Sequence, residues 1–217
     1  MKRYILTILC ILIISNLSGQ TGKNSYLGIN ALQLPAYTID LNYSLDIKPF
    51  LTTLIDLGYT INYTKSFDFI GFFLTPHTKG GNYGYDLSRQ SGGYLKIGSY
   101  LNFRKTFETK SYPHIGLFLT NSIIYEKGIY QALVVTEFIP DPIQVSHNKF
   151  VYGLNLSFGY EFSIAKRLKA YFDFQNSFPN KKYLDLYGYR NYIPGMGYKD
   201  SELFWFPMFI FNLKYRL

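Results

Sequence analysis

Tyr152-Gly153-Leu154-Asn155-Leu156-Ser157-Phe158-Gly159-Tyr160-Glu161-Phe162-Ser163-Ile164 carries an apolar or aromatic side chain at every second position, with small or polar residues between. Successive side chains of a strand point to opposite faces, so a period of two puts every apolar group on one side. The alternation holds for thirteen residues. That exceeds a typical soluble strand and suits a tilted strand crossing a bilayer.

Outward from this stretch the pattern recurs. It predicts strands over Tyr26–Leu34, Thr38–Ile47, Leu51–Tyr63, Tyr94–Arg104, His114–Tyr125, Leu168–Phe174 and Leu203–Leu217, which with Tyr152–Ile164 makes eight. The turns after the second, fourth and sixth are short, ending with Ala165-Lys166-Arg167. Those after the third, fifth and seventh are long: Thr64–Ser91, a stretch containing Leu133-Val134-Val135 and Pro140-Asp141-Pro142, and Ser177–Glu202. Short turns at one end, long loops at the other and an even strand number define an all-β, eight-stranded antiparallel up-and-down transmembrane β-barrel. The tight Pro35-Ala36-Tyr37 connection departs from that alternation.

Compartment follows from the first residues. Lys2 and Arg3 precede an apolar run from Tyr4 to Ile14 and a small, polar stretch to Gly19, the order of a secretory signal. The run is too short to span a bilayer, and Ile11-Leu12-Ile13-Ile14 continue past Cys10, unlike a lipobox. The expected organisation is a cleaved signal over residues 1–19 and the barrel over 20–217, in the outer membrane with both termini periplasmic. Cys10 is the sole cysteine, so the mature chain has neither disulfide nor thiolate chemistry. The 22 Tyr and 19 Phe suit aromatic girdles at two membrane–water boundaries. Net charge is +8, with no basic run or basic helix of the kind that grips nucleic acid; the excess suits anionic lipid head groups.

The direction of the faces separates a membrane barrel from a soluble one. The polar face holds Asp40, Asp46, Asp56, Lys96, Arg104, Glu161, Asp173, Lys214 and Arg216, whereas the apolar face is almost free of charge. A lysine or arginine facing lipid at the midplane costs roughly 2–4 kcal/mol, so this asymmetry is expected where the apolar face meets acyl chains. A lipocalin-type barrel would turn its apolar face inward instead.

On the Gly153–Phe162 stretch, the Lys166-Arg167-Leu168 turn and the C-terminal Tyr215-Arg216-Leu217, the chain resembles the small outer-membrane β-barrel family of Bacteroidota, with OmpA- and OmpX-type architecture. The ending is similar to the aromatic-x-hydrophobic signal read by the barrel assembly machinery, with Leu217 in place of the commoner Phe and Asn212 where Gly is usual. The resemblance implies location more than activity, because the architecture hosts many functions. It implies outer-membrane lipid or lipopolysaccharide and other envelope proteins or surface ligands as partners, and no cofactor.

Three groups of residues are candidates for function. Asp40, Asp56, Glu161 and Asp173 are placed to pair inside the barrel with Lys96, Arg104, Lys214 and Arg216, either as a structural plug or as an ion path. Phe118, Phe204, Phe206, Met208 and Ile210 are apolar at inward positions and, beside Pro207, outline either a pocket for an acyl chain or an aromatic cap. Tyr83, Tyr85, Tyr187, Tyr189 and Tyr192 lie in Tyr-, Gly- and Asn-rich loops with the composition of binding loops. His77, His114 and His147 are scattered, and Ser146-His147-Asn148 lacks the spacing of a serine hydrolase, so neither metal nor hydrolytic chemistry is expected. The expected function is non-enzymatic: envelope structure, surface binding or membership of a larger assembly. A lipid-modifying enzyme and a narrow pore are the alternatives.

Overall fold

The computed structural model describes residues 24–63, 69–74, 85–130, 143–180, 192–198 and 205–217. The signal region, Phe204 and most of the long loops lie outside these. Eight strands close into an antiparallel barrel: β1 (Asn24–Asn30), β2 (Thr38–Lys48), β3 (Leu51–Tyr63), β4 (Tyr85–Asn102), β5 (Ser111–Tyr130), β6 (Ile143–Ser163), β7 (Leu168–Pro179) and β10 (Phe206–Arg216). Each pairs with its neighbour in the chain, and β10 closes onto β1. Two further strands, β8 (Tyr192–Ile193) and β9 (Gly197–Tyr198), form a separate small hairpin. No described helix is long and apolar enough to cross a membrane.

The faces point as the alternation requires. Along β6, Tyr152, Leu154, Phe158 and Tyr160 are about half exposed, whereas Val151, Gly153, Asn155, Ser157 and Glu161 are buried. The same holds on β5, where Ile115, Leu117, Leu119, Ile123 and Tyr125 face outward and His114, Phe118, Thr120, Ser122, Ile124 and Glu126 face the lumen. The molecule is therefore apolar outside and polar inside, the inverse of a water-soluble barrel.

Strand lengths differ from the sequence expectation. β4, β5 and β6 run past the end of β7, whose Pro179 pairs with Gly153, and so project beyond the ring as a three-stranded tongue. In β3 a register shift between Thr60 and Tyr63 inserts one residue, which turns Tyr63 from the expected outer face into the interior. Phe69–Leu74, expected as loop, forms the short helix α1.

The first strand stops early for local reasons. The Asn30 side chain accepts from the Leu32 amide at 3.2 Å and caps a 3-10 turn over Ala31–Ala36 that contains Pro35, and Tyr37 leaves it with φ 52°. Consequently β1 pairs with β10 at only five positions, Tyr26–Asn30 against Asn212–Arg216, whereas β5 and β6 pair over twenty. The Asn30 side chain also accepts from the Phe211 amide at 3.2 Å, which shows that Phe211 points its N–H toward the β1 side. By strand alternation Phe209 and Pro207 face the same way. Pro207 thus lies where β10 has no strand partner on that side, and its missing N–H costs no ladder bond. The 3-10 turn and α1 cover this stretch instead, with Phe73 of α1 against Phe209 at 6.3 Å between ring centroids.

Candidate functional site

Among the described residues, three layers of side chains cross the lumen. At the short-turn end, Glu161 accepts from Lys169 Nζ at 2.9 Å, from Lys214 Nζ and from the Tyr112 hydroxyl. Both lysines also lie over the Tyr26 ring, at 4.9 and 5.0 Å. Beside them Arg104 meets Asp46 at 2.8 Å and donates from Nε to the Pro49 carbonyl at 2.6 Å. Burial opposes the charge on Arg104, but neighbouring Asp46 outweighs it and holds the guanidinium above its ordinary pKa.

The middle of the lumen is a polar and aromatic layer. Asp173 takes His114 Nε2 on one oxygen at 2.6 Å and the Tyr100 hydroxyl on the other at 2.7 Å. The Tyr100 ring packs edge-on against His114 and Phe118, with centroids 4.5 and 4.9 Å away. Asn212 donates to the Tyr171 hydroxyl at 2.5 Å and accepts from Asn42. On the β2–β4 wall, Lys96 sits 3.5 Å from Asp56, and the Tyr94 hydroxyl donates to Asp40 at 2.5 Å while lying 3.4 Å from Asp56. Tyr94 fits because position 58 is glycine: a Cβ there would meet the ring. Tyr94→Phe removes the hydroxyl between two buried carboxylates. It is expected to lower the unfolding free energy by about 1–3 kcal/mol, the cost of an unsatisfied buried acceptor, read from urea titration of the vesicle-reconstituted protein. An unchanged midpoint would show that water replaces the hydroxyl.

The third layer closes the long-loop end. The β8–β9 hairpin folds into the lumen, and residues 192–198 are all buried. Its turn is Ile193-Pro194-Gly195-Met196, in which the Met196 amide donates to the Ile193 carbonyl at 2.9 Å and Gly195 takes φ 76°. Proline before a positive-φ glycine is the signature of a type II turn. The barrel wall holds the hairpin by its backbone: Asn155 and Gln175 donate to the Gly195 carbonyl at 3.1 Å, Ser177 to the Met196 carbonyl at 2.6 Å, and Gln90 to the Tyr192 carbonyl. Ile193 and Met196 pack with Ile124, Val151 and Phe206. Tyr192 donates to Gln33, meets Thr38 at 3.1 Å and packs with Tyr63, Ala36, Tyr198 and Ile70 of α1. The sequence pattern places these residues in a long loop, and the hairpin's one local signal is the Ile193–Met196 turn.

These positions change three expectations. Arg216 is exposed at the rim rather than inside, because it lies at the last register position of β10, facing Tyr26 of β1. Its expected place is taken by residues outside that set: Asp46 pairs with Arg104, Lys169 joins Glu161, and His114 pairs with Asp173. Phe118, Met208 and Ile210 do face inward, but with Leu54, Tyr100 and Tyr171 they form a packed cluster, and Phe206 packs with Ile193 and Met196 of the hairpin, so among the described residues these side chains fill the space expected for an acyl chain. Tyr192 is a buried hairpin residue with 1% exposure rather than a surface contact. Tyr85 begins β4, while Tyr83, Tyr187, Tyr189 and Phe204 lie outside the described residues. No metal-ligating cluster occurs among the described residues.

No family model matches the sequence, and no curated protein does. Among solved structures, the chain is similar to the N-terminal β-barrel domain of Pseudomonas aeruginosa OprF, at 7% identity and a TM-score of 0.48 over 90% of this chain and 96% of that one. It is also similar to Neisserial surface protein A (NspA), at 8% identity and a TM-score of 0.41 over 89% of this chain and 90% of that one.

Proposed function

We propose that this chain is an outer-membrane β-barrel without enzymatic activity, one of the small barrels of the Bacteroidota envelope. It acts as a structural or partner-binding subunit through the surfaces at its two ends. The observation that carries this reading is the inversion of the barrel: an apolar belt of Leu, Ile, Phe and Tyr outside, and buried, paired charges within. In water such an exterior would aggregate; in hydrocarbon each outward leucine or phenylalanine is at home. The layers of paired side chains that cross the lumen among the described residues argue against a pore. The His114–Asp173 pair is flanked by the rings of Tyr100 and Tyr171, which a substrate would have to displace, and this argues against lipid modification. With the short-turn end periplasmic, the long loops meet lipopolysaccharide and the outside, and Tyr215-Arg216-Leu217 is available to the assembly machinery.

Two measurements test the reading. The mature protein should fractionate with the outer membrane and need detergent for extraction; recovery in the soluble fraction would overturn it. Purified protein in a planar bilayer should show no steady stepwise conductance. Reproducible single-channel steps would replace a subunit with a pore.

A further inference from the structure

At the short-turn end the lumen opens into a cleft of about 600 Å³, within the range of ligand-binding clefts. Lys110 of the β4–β5 turn, Lys166 and Arg167 of the β6–β7 turn, and Arg216 of β10 stand on its rim, all exposed, with Glu108 as the one acidic residue in the lining. Among the described residues none of these four cations is held in an ion pair; Arg167 donates to the Tyr215 hydroxyl at 3.3 Å, which steadies its guanidinium on the rim. The layer behind the cleft adds to the imbalance, because Glu161 carries one negative charge between Lys169, which lines the cleft, and Lys214. Lys48 and Lys105 extend the exposed positive surface along the neighbouring turns.

We infer that this cleft is a docking site for an acidic segment of a partner protein. The cations call for an anion, and two guanidiniums favour carboxylates or phosphates that accept paired hydrogen bonds. Two observations favour a peptide. Phe107, Ile164 and Ala165 interrupt the charges along the lining, giving apolar side chains a place to sit that an inorganic polyanion would not use. The floor is made by Tyr26 and Lys169, both buried at the lumen end, so the deepest part of the cleft lies inside the ring of strands, away from the head groups that surround the rim. The inference rests on the partner-binding reading above and names the chemistry of the partner.

The test uses the full mature protein in phosphatidylcholine nanodiscs, where both ends are accessible. A labelled peptide alternating glutamate with leucine should bind, and binding should weaken with salt. Its glutamine counterpart should not bind. The triple variant Lys166→Ala, Arg167→Ala, Arg216→Ala should bind the acidic peptide about tenfold more weakly, the loss expected of three exposed charge pairs, with an unfolding transition like that of the parent. No binding by a properly inserted barrel, or binding that ignores the triple variant, would overturn the inference while leaving the membrane reading intact. So would tripolyphosphate binding as tightly as the peptide, which marks a simple anion sink. Phosphatidylglycerol in the nanodisc displacing the peptide would reassign the cleft to head groups. Failure to insert would instead overturn the reading on which it rests.

Discussion

Glu161→Gln lowers the unfolding free energy of the barrel by about 3–5 kcal/mol, the cost of removing one partner from a buried ion cluster. Glu161 is 4% exposed and is the shared acceptor for Lys169, Lys214 and Tyr112, so the substitution leaves two buried ammonium groups facing an amide. Glutamine keeps the shape and can still accept one hydrogen bond, which isolates charge from packing. Trp205, the single tryptophan, lies beside β10 and reports unfolding by its fluorescence in a urea titration of the vesicle-reconstituted protein. Removing one of the stranded charges as well, in Glu161→Gln/Lys169→Met, should recover part of the loss. An unchanged midpoint in the single variant would mean that water reaches the lysines from the cleft and the cluster is hydrated.

The second large effect is expected at the tip of the inward hairpin. Gly195 holds φ 76°, and a Cβ there would meet the Tyr94 ring. Gly195→Val adds backbone strain of about 1–3 kcal/mol together with a clash that cannot relax easily. Tyr94 is closed in by Gly58 behind it and tethered by its hydroxyl to Asp40. The expected outcome is release of residues 192–198 from the lumen, with the burial of Ile193 and Met196 forfeited at about 1.5–3 kcal/mol each. Amide exchange at Met196, whose N–H is bonded in the native turn, should quicken by orders of magnitude. The variant should nevertheless remain non-conducting, because the Tyr94–Asp40–Asp56 and Tyr100–Asp173–His114 layers persist beneath. Protection at Met196 equal to that of the parent would show that the lumen tolerates the valine. Stepwise conductance would show that the hairpin alone seals it.

Strand positions and their facing were legible because alternation is a local property: Leu154 and Glu161 differ in side-chain chemistry, and the bilayer sorts them. Where the pattern is broken by one residue it misleads, as at Thr60–Tyr63, since a bulge leaves composition untouched and reverses every side chain after it. The end of β1 was hidden for a similar reason. Ala31-Leu32-Gln33-Leu34 alternates well enough for a strand, and the capping side chain of Asn30 and the fixed φ of Pro35 decide otherwise. The lumen was half legible. Inward charges could be named from parity, but pairing depends on strand stagger, so Arg104 meets Asp46, and Glu161 gathers Lys169 as well as Lys214. The hairpin was the least visible part: Pro194-Gly195 announces a turn, and only the surrounding barrel tells that turn to face inward, by offering Asn155, Gln175 and Ser177 to its carbonyls.

The short β1–β10 pairing has a mechanical meaning. A ring stitched over twenty positions at one join and five at another is not uniformly strong, and under tension it parts where the stitches are fewest. That same join unites the first and last strands of the barrel, so parting it turns the closed ring into an open sheet. The 3-10 turn and α1 lie over the stretch of β10 that the join leaves open, like a patch where the seam stops short.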